Sequence, residues 1–229
     1  SAEIEAARPA VMRAVRELGL GGYANTSYPR GLAALIDDAP VRYAVIDAGT
    51  NSIKFHIGEH DVGGKWRTVV DRAELTRLGE GLAQQGVISD AALERTVAAI
   101  AGMADEAKRH GVRALAAVGT AGLRIASNGS QVGGAIEART GVHVEVISGD
   151  EEGRLAFVAA RAGLGLDKGS LVVFDTGGGS SQFTFGHDTD VDERFSVDVG
   201  AVRYTERYGL DHAVSPEVLR EAMAAIAAE

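Results

Sequence analysis

Cysteine is absent from all 229 residues, which removes disulfides, thiol nucleophiles and cysteine-based metal sites together and fits a reducing cytoplasm. No stretch approaches the ~20 apolar residues that a membrane helix needs. Ser1 to Ala10 also lack the charged-then-apolar order of a secretion signal. The expectation is a soluble cytoplasmic protein with no membrane partner. A basic run is missing too: 23 Lys and Arg face 32 Asp and Glu, for a net charge of −9. That balance argues against DNA or RNA as a partner, while still allowing basic residues to gather in an anion-binding cleft. The six histidines show no metal-ligand spacing, and no serine is accompanied by a convincing histidine base, so nucleophilic hydrolase chemistry is not expected. What the chain does have is 45% hydrophobic residues, enough for the core of one large domain or two smaller ones.

Two segments stand out against this background. Val41 to Glu59 reads VRYAVIDAGTNSIKFHIGE and Leu171 to Gly186 reads LVVFDTGGGSSQFTFG. Twice an apolar strand runs into an Asp, small hydroxyl and Gly residues, and a second strand. This is the pattern of a duplicated phosphate clamp. Glycine allows a positive-φ turn whose N–H groups converge on an anion, here at Gly49 and at Gly177, Gly178 and Gly179. Thr50, Asn51, Ser52, Ser180 and Ser181 add side-chain donors. Asp47 and Asp175 each close a strand, where a carboxylate can hold Mg²⁺ through water. Two ordinary hairpins would be the plain alternative, but the same unusual order recurs 128 residues apart.

Around the first clamp, residues 41–58 read as two strands and Arg67 to Arg72 as a third. Glu74 to Gly86 reads as a Gly-rich loop or short helix. Ser89 is a good N-cap for a helix from Asp90 to His110, with Leu93, Val97, Ile100 and Ala104 on one face. A strand at Val112 to Val118, helices at Thr120 to Asn128 and Val132 to Thr140, a strand at Val142 to Ile147 and a helix at Glu151 to Ala162 complete an α/β layer unit. The second clamp opens another unit, with strands at 171–175, 181–186 and 194–199 and helices at Ala201 to Tyr208 and Ser215 to Ala228. No further strand follows, so this unit is incomplete.

The order of motifs resembles the exopolyphosphatase and guanosine pentaphosphate phosphohydrolase family, within the actin-like ATPase and sugar kinase superfamily. The resemblance runs from about Arg42 to Tyr208. It is carried by DAGTNSIK (Asp47 to Lys54), TRLGEGL (Thr76 to Leu82), GTAGLRIASN (Gly119 to Asn128), SGDEEGR (Ser148 to Arg154), DTGGGSSQ (Asp175 to Gln182) and SVDVGAVRYTERY (Ser196 to Tyr208). It implies an α/β fold of duplicated actin-like, ribonuclease H-like lobes, each a mixed sheet flanked by helices, with the second lobe incomplete. The lobes divide at 41–165 and 166–229. Gln182 stands where the family usually has Glu, and Ala121, Gly122 and Ile125 stand where many members are polar or acidic. Both features are similar to the related apyrases, which hydrolyse nucleoside di- and triphosphates. Residues 1–40 precede the first lobe, and within them Pro9 to Asp37 look similar to the helix, strand and Gly-Leu helix that close the second lobe of these enzymes. A permuted order or a piece of a longer or tandem chain accounts for this, and so does an unrelated helical extension.

Hydrolysis of a phosphoanhydride needs charge neutralisation, alignment and an oriented water. Asp47 and Asp175 are the expected Mg²⁺ holders, and the turns Gly49 to Ser52 and Gly177 to Ser181 the expected phosphate cradle. Turn capping is the competing role for both Asp residues. Glu151 and Glu152 open a helix, where either can cap it or orient the water. The resemblance favours Glu152, which stands directly before the Gly-Arg pair, and leaves Glu151 as its solvated neighbour. Lys54, Arg77 and Arg124 are candidate phosphate contacts, although strand alternation could also turn Lys54 away. Arg124 and Arg154 could instead pair with acids that shape the cleft. The implied function is Mg²⁺-dependent release of terminal phosphate from polyphosphate or guanosine pentaphosphate. An apyrase-like nucleotidase and a non-catalytic phosphate- or nucleotide-binding module are the alternatives. Acidic, Ala-rich helices permit a homodimer without requiring one.

Overall fold

The computed structural model describes residues 40–61, 65–166 and 168–229. The Pro9 to Asp37 segment, with its resemblance to a closing subdomain, lies outside the described residues.

In the first unit, β1 (Val41–Ala48), β2 (Ser52–His60) and β3 (Trp66–Leu75) form an antiparallel meander, and β4 (Ala114–Gly119) and β5 (Val144–Val146) join in parallel to give the order β3-β2-β1-β4-β5. Alternation decides the buried face. Ala44, Ile46 and Ala48 on β1 sit opposite Ile57, Phe55 and Ile53 on β2, and all six are essentially inaccessible. Period-two spacing places them on one side of the sheet and leaves Asp47 and Lys54 on the other.

After the short helix α1 (Leu82–Gln85), the helix α2 (Asp90–Arg109) covers that apolar face with Val97, Ile100, Met103, Ala104 and Ala107. Its start is set by Ser89, whose side chain accepts the Ala92 N–H at 3.2 Å, the geometry of a Ser N-cap. Leu93, expected on the buried face, is partly buried beside it. A short α3 (Ala121–Ile125) and α4 (Gly129–Thr140) follow β4, and α4 adds Val132 and Ile136 to the same core.

The second unit repeats the first in miniature. Strands β6 (Ser170–Thr176), β7 (Ser181–His187) and β8 (Asp190–Val197) form an antiparallel sheet, followed by α6 (Ala201–Tyr208) and α7 (Pro216–Ala227). Repetition extends to details. Asp47 pairs with Lys54 across β1 and β2, and Asp175 pairs with Gln182 across β6 and β7. The ladder slips at Ile57/Gly58 in one unit and at Phe185/Gly186 in the other, again 128 residues apart. The expected α/β plan of two related units is therefore present, with three strands in the second unit among the described residues.

Several boundaries differ from expectation, and β3 runs on to Leu75 into the stretch expected as a loop or short helix. Strand β8 begins at Asp190 rather than 194, because Asp188 adopts a left-handed φ of 48° and turns the chain within two residues of β7. The helix α5 (Gly149–Leu164) follows the first unit in sequence but packs on the second sheet. Its glycines permit this approach: a Cβ on Gly153 would lie 2.8 Å from Thr184 Oγ1, and one on Gly149 would lie 2.5 Å from Ser196 Cβ. Further along the same helix, fully buried Phe157 presses on Gly186.

Candidate functional site

Both hairpin tips close with the same bond. Gly49 N–H donates to Ser52 C=O at 3.1 Å, and Gly177 N–H donates to Ser180 C=O at 2.9 Å. None of Gly49, Gly177, Gly178 and Gly179 has a positive φ, which corrects the reason expected for glycine here. Close packing is the actual reason: a Cβ on Gly49 would lie 2.8 Å from Ser52 O and one on Gly177 would lie 3.3 Å from Ser180 O within their own turns, while Gly178 and Gly179 face Thr50 of the other tip. Thr50, at the tip of the first clamp, is buried among glycines: a Cβ on Gly79 would lie 2.2 Å from its Cγ2, and one on Gly179 would lie 2.8 Å from its Oγ1.

Each tip is held from outside. Over the first clamp, Gly79 N–H donates to Thr50 C=O and Arg77 N–H to Asn51 C=O, both at 2.8 Å. Over the second, the first turn of α6 supplies Ala201 N–H to Gly177 C=O at 2.9 Å and Arg203 N–H to Gly178 C=O at 3.0 Å. These helix-terminal donors would otherwise be unsatisfied, and using them on the clamp carbonyls fixes the turn. This contact was not foreseen, although Gly200 just before the helix is its signature: a Cβ there would meet Gly178 O at 2.4 Å.

The charged groups gather where the two sheets meet. Lys54 Nζ lies 3.2 Å from Asp47 Oδ2, so it points into the site rather than away. Its pKa is raised first by Asp47, against a smaller lowering by burial, and further by Asp175 and Glu152. Glu152, at the start of α5, pairs with Arg124 at 3.3 Å, and Arg124 also donates to Ile147 C=O at 2.9 Å. Burial is the largest influence on the Glu152 carboxyl and raises its pKa. Arg124 opposes that shift, and Asp47 and Asp175 add to it. Asp47, Asp175, Glu152 and Lys54 thus share one electrostatic field.

The two adjacent glutamates are in different environments. Glu151 is clamped by Arg154 at 2.8 and 2.6 Å, and that bond holds its carboxyl below the usual range. The helix itself is capped by Ser148, whose Oγ accepts Glu151 N–H at 3.1 Å. Neither glutamate side chain is therefore needed as the cap.

The remaining expected residues divide. Asn51 and Ser52 are half-buried, and their side chains make no hydrogen bond to a described residue. Arg77 is exposed at a left-handed φ of 48°, and its side chain makes no ion pair with a described residue. Ser181 is turned inward and gives its proton to Val199 C=O at 2.6 Å, so its hydroxyl braces the clamp instead of facing an anion. An apolar cavity of about 220 Å³ borders Thr50, Gly122 and Gly179, but Asp47, Asp175 and Glu152 do not line it.

Residues 57–229 match the model of the Ppx/GppA phosphatase family. The chain belongs to that family. It is similar to Exopolyphosphatase 2 of Mycobacterium tuberculosis, 33% identical over 180 residues that cover 74% of this chain and 55% of the relative. Among solved structures, an exopolyphosphatase-like protein superposes with a TM-score of 0.76 at 33% identity, covering 82% of this chain and 59% of that one. The Aquifex aeolicus member of the Ppx/GppA family does so with a TM-score of 0.65 at 29% identity, covering 74% and 55%. The chain spans about half the length of the curated relatives it matches. Among the described residues no helix is long and apolar enough to cross a membrane.

Proposed function

We propose that the paired clamps form the phosphate site of a phosphoanhydride hydrolase that releases terminal phosphate from polyphosphate, with Glu152 acting on the attacking water. The observation that carries this reading is the position of Glu152. It is a largely buried carboxylate in the same field as Asp47 and Asp175, with its pKa raised by burial. A raised pKa makes a carboxylate a stronger base near neutral pH. Lys54 and the backbone and side-chain donors of the two tips bind and orient the phosphoryl chain, and packing of Thr50 against Gly178 and Gly179 holds the tips together.

The residues present fit a hydrated Mg²⁺. Asp47 Oδ1 is buried without a hydrogen-bond partner, and an unsatisfied carboxylate oxygen of that kind calls for a donor such as metal-bound water. Among the described residues no group of three acids or histidines could grip the ion directly, so Asp47 and Asp175 would hold it through its waters. When bound, the ion supplies charge neutralisation for the phosphoryl oxygens.

Polyphosphate is the preferred substrate because the relatives include proteins named exopolyphosphatase. Guanosine pentaphosphate offers the same terminal anhydride. An apyrase-like preference for nucleoside di- and triphosphates is a second reading, favoured by the neutral Gln182 in the second clamp.

Phosphate release from polyphosphate, guanosine pentaphosphate and ATP, with and without Mg²⁺, tests all three substrates. Glu152→Gln should lower turnover by about 10²–10⁴-fold, the range for loss of a general base. Release that persists in the variant would overturn the role of Glu152. Binding without release from any substrate would favour a non-catalytic phosphate-binding module.

A further inference from the structure

Lys54 and Gln182 hold equivalent places in the two clamps, each opposite the Asp that closes its strand. Lys54 is largely exposed and paired with its Asp. Gln182 is 1% exposed; its amide makes no hydrogen bond to Asp175, and its Oε1 is buried without a hydrogen-bond partner among the described residues. Its Nε2 instead donates to Ser180 Oγ at 2.8 Å and to Ser196 Oγ at 3.1 Å. A hydroxyl that accepts a hydrogen bond keeps its own proton for another acceptor. Neither Ser180 nor Ser196 gives its proton to a side chain or carbonyl among the described residues, whereas neighbouring Ser181 gives its own to Val199. Two hydroxyl protons are therefore uncommitted at the second clamp. Ser180 lies in the turn itself. Ser196 lies against Gly149, at the start of the helix that carries Glu152.

We propose that Gln182 is a positioning residue that turns the Ser180 and Ser196 hydroxyls into donors toward the phosphoryl oxygens held between the clamps. The inference rests on the reading of the clamps as a phosphate site. A carboxylate at this position would do the opposite. It can only accept, so both serines would donate to it, and a further negative charge would stand beside Asp47, Asp175 and Glu152. Gln182 thus keeps the second clamp both donor-rich and one charge less negative.

The test is calorimetric titration of the full chain with sodium tripolyphosphate between pH 5 and 8.5, using the wild type, Gln182→Glu and Gln182→Met. Thermal melts confirm folding, and phosphate release is followed on the same samples. Gln182→Met should weaken binding by about tenfold at every pH, the effect of losing a charge-assisted hydrogen bond. Gln182→Glu should weaken it further at pH 8, and its deficit should shrink as the pH falls and the new carboxyl regains a proton to donate. Wild-type affinity in Gln182→Glu across the range would overturn the proposal. An equal, pH-independent loss in both variants, the mark of a purely structural role, would do the same. Should Gln182→Glu fail to fold, the Ser180→Ala/Ser196→Ala double variant decides. It should already show the loss, and adding Gln182→Met should cost nothing more. Additional loss in that background overturns the inference. Tight binding without phosphate release would sink the hydrolase reading alone, and no binding by the wild type would sink both.

Discussion

The two sheets share one clamp design but differ in how they are packed. In the first, Ile46, Ile53, Phe55 and Ile57 are fully buried beneath Ile100, Met103 and Ile136. In the second, the face toward α5 is covered, while the other face leaves Val172 57%, Phe174 61% and Phe195 42% exposed. Four of the six phenylalanines of the chain lie on this small sheet. Across it Phe174 meets Phe183 in a tilted contact at 4.7 Å, and Phe183 stacks on Phe195 at 5.0 Å. Yet the two tips have the same closing bond, the same Asp register and the same ladder slip. Clamp geometry is therefore a local property of hairpin register and tip packing. Burial, which differs so widely between the sheets, determines how strongly each one is anchored.

The largest expected effect separates the two sheets directly. Phe55→Ala removes a fully buried ring and should cost about 3–5 kcal/mol in urea unfolding, the usual range for Phe→Ala in a core. Phe174→Ala, on the open face, should cost about 1 kcal/mol or less, limited to its ring contacts. Equal losses would mean that the second sheet is anchored as firmly as the first, and the contrast would fail.

A smaller effect tests the packing that joins the tips. Gly79→Ala would drive a methyl group to within 2.2 Å of Thr50 Cγ2, an overpacking expected to cost about 1–3 kcal/mol. Thr50→Ser deletes the obstructing methyl, so the double variant should regain much of the stability lost by Gly79→Ala. Simple additivity of the two single changes would show that Thr50 is not the obstacle.

Much of this arrangement was legible in the sequence because its signals are local. Strand alternation located both hairpins, the recurring Asp and Gly order identified the tips, and Ser89 marked a helix start that its side chain indeed caps. What could not be read depends on neighbours distant in the chain. The clamp glycines looked like positive-φ residues, but Gly178 and Gly179 admit Thr50, which approaches from the other hairpin, and Gly49 and Gly177 clear the carbonyls of their own turns. Ser181 looked like an anion donor until Val199, 18 residues on, claimed its proton. The direction of Lys54 was open by alternation alone and is decided by Asp47. Gln182 read as a departure from a family pattern, and only the placement of Ser196 gives it work to do.

The smallest effect concerns the helix that links the sheets, where adjacent carboxylates should respond to pH with opposite signs. Burial raises the Glu152 pKa above its unfolded value, so the folded protein binds that proton more tightly. The stability this contributes is present below the unfolded pKa and lost as pH rises through the folded one. Glu152→Gln should therefore be more stable than the wild type at neutral pH, with the advantage vanishing near pH 4. For Glu151, Arg154 lowers the pKa, so its stabilisation is present above the unfolded pKa and lost as pH falls through the folded one. Glu151→Gln should be slightly less stable at neutral pH, by about 0–1 kcal/mol because the pair is partly exposed. Urea midpoints across pH 3–8 measure both. Like signs would mean that Glu152 sits in a solvated pair such as Glu151 has. Opposite signs, with phosphate release lost only in Glu152→Gln, would tie the buried carboxylate on this helix to the chemistry between the clamps.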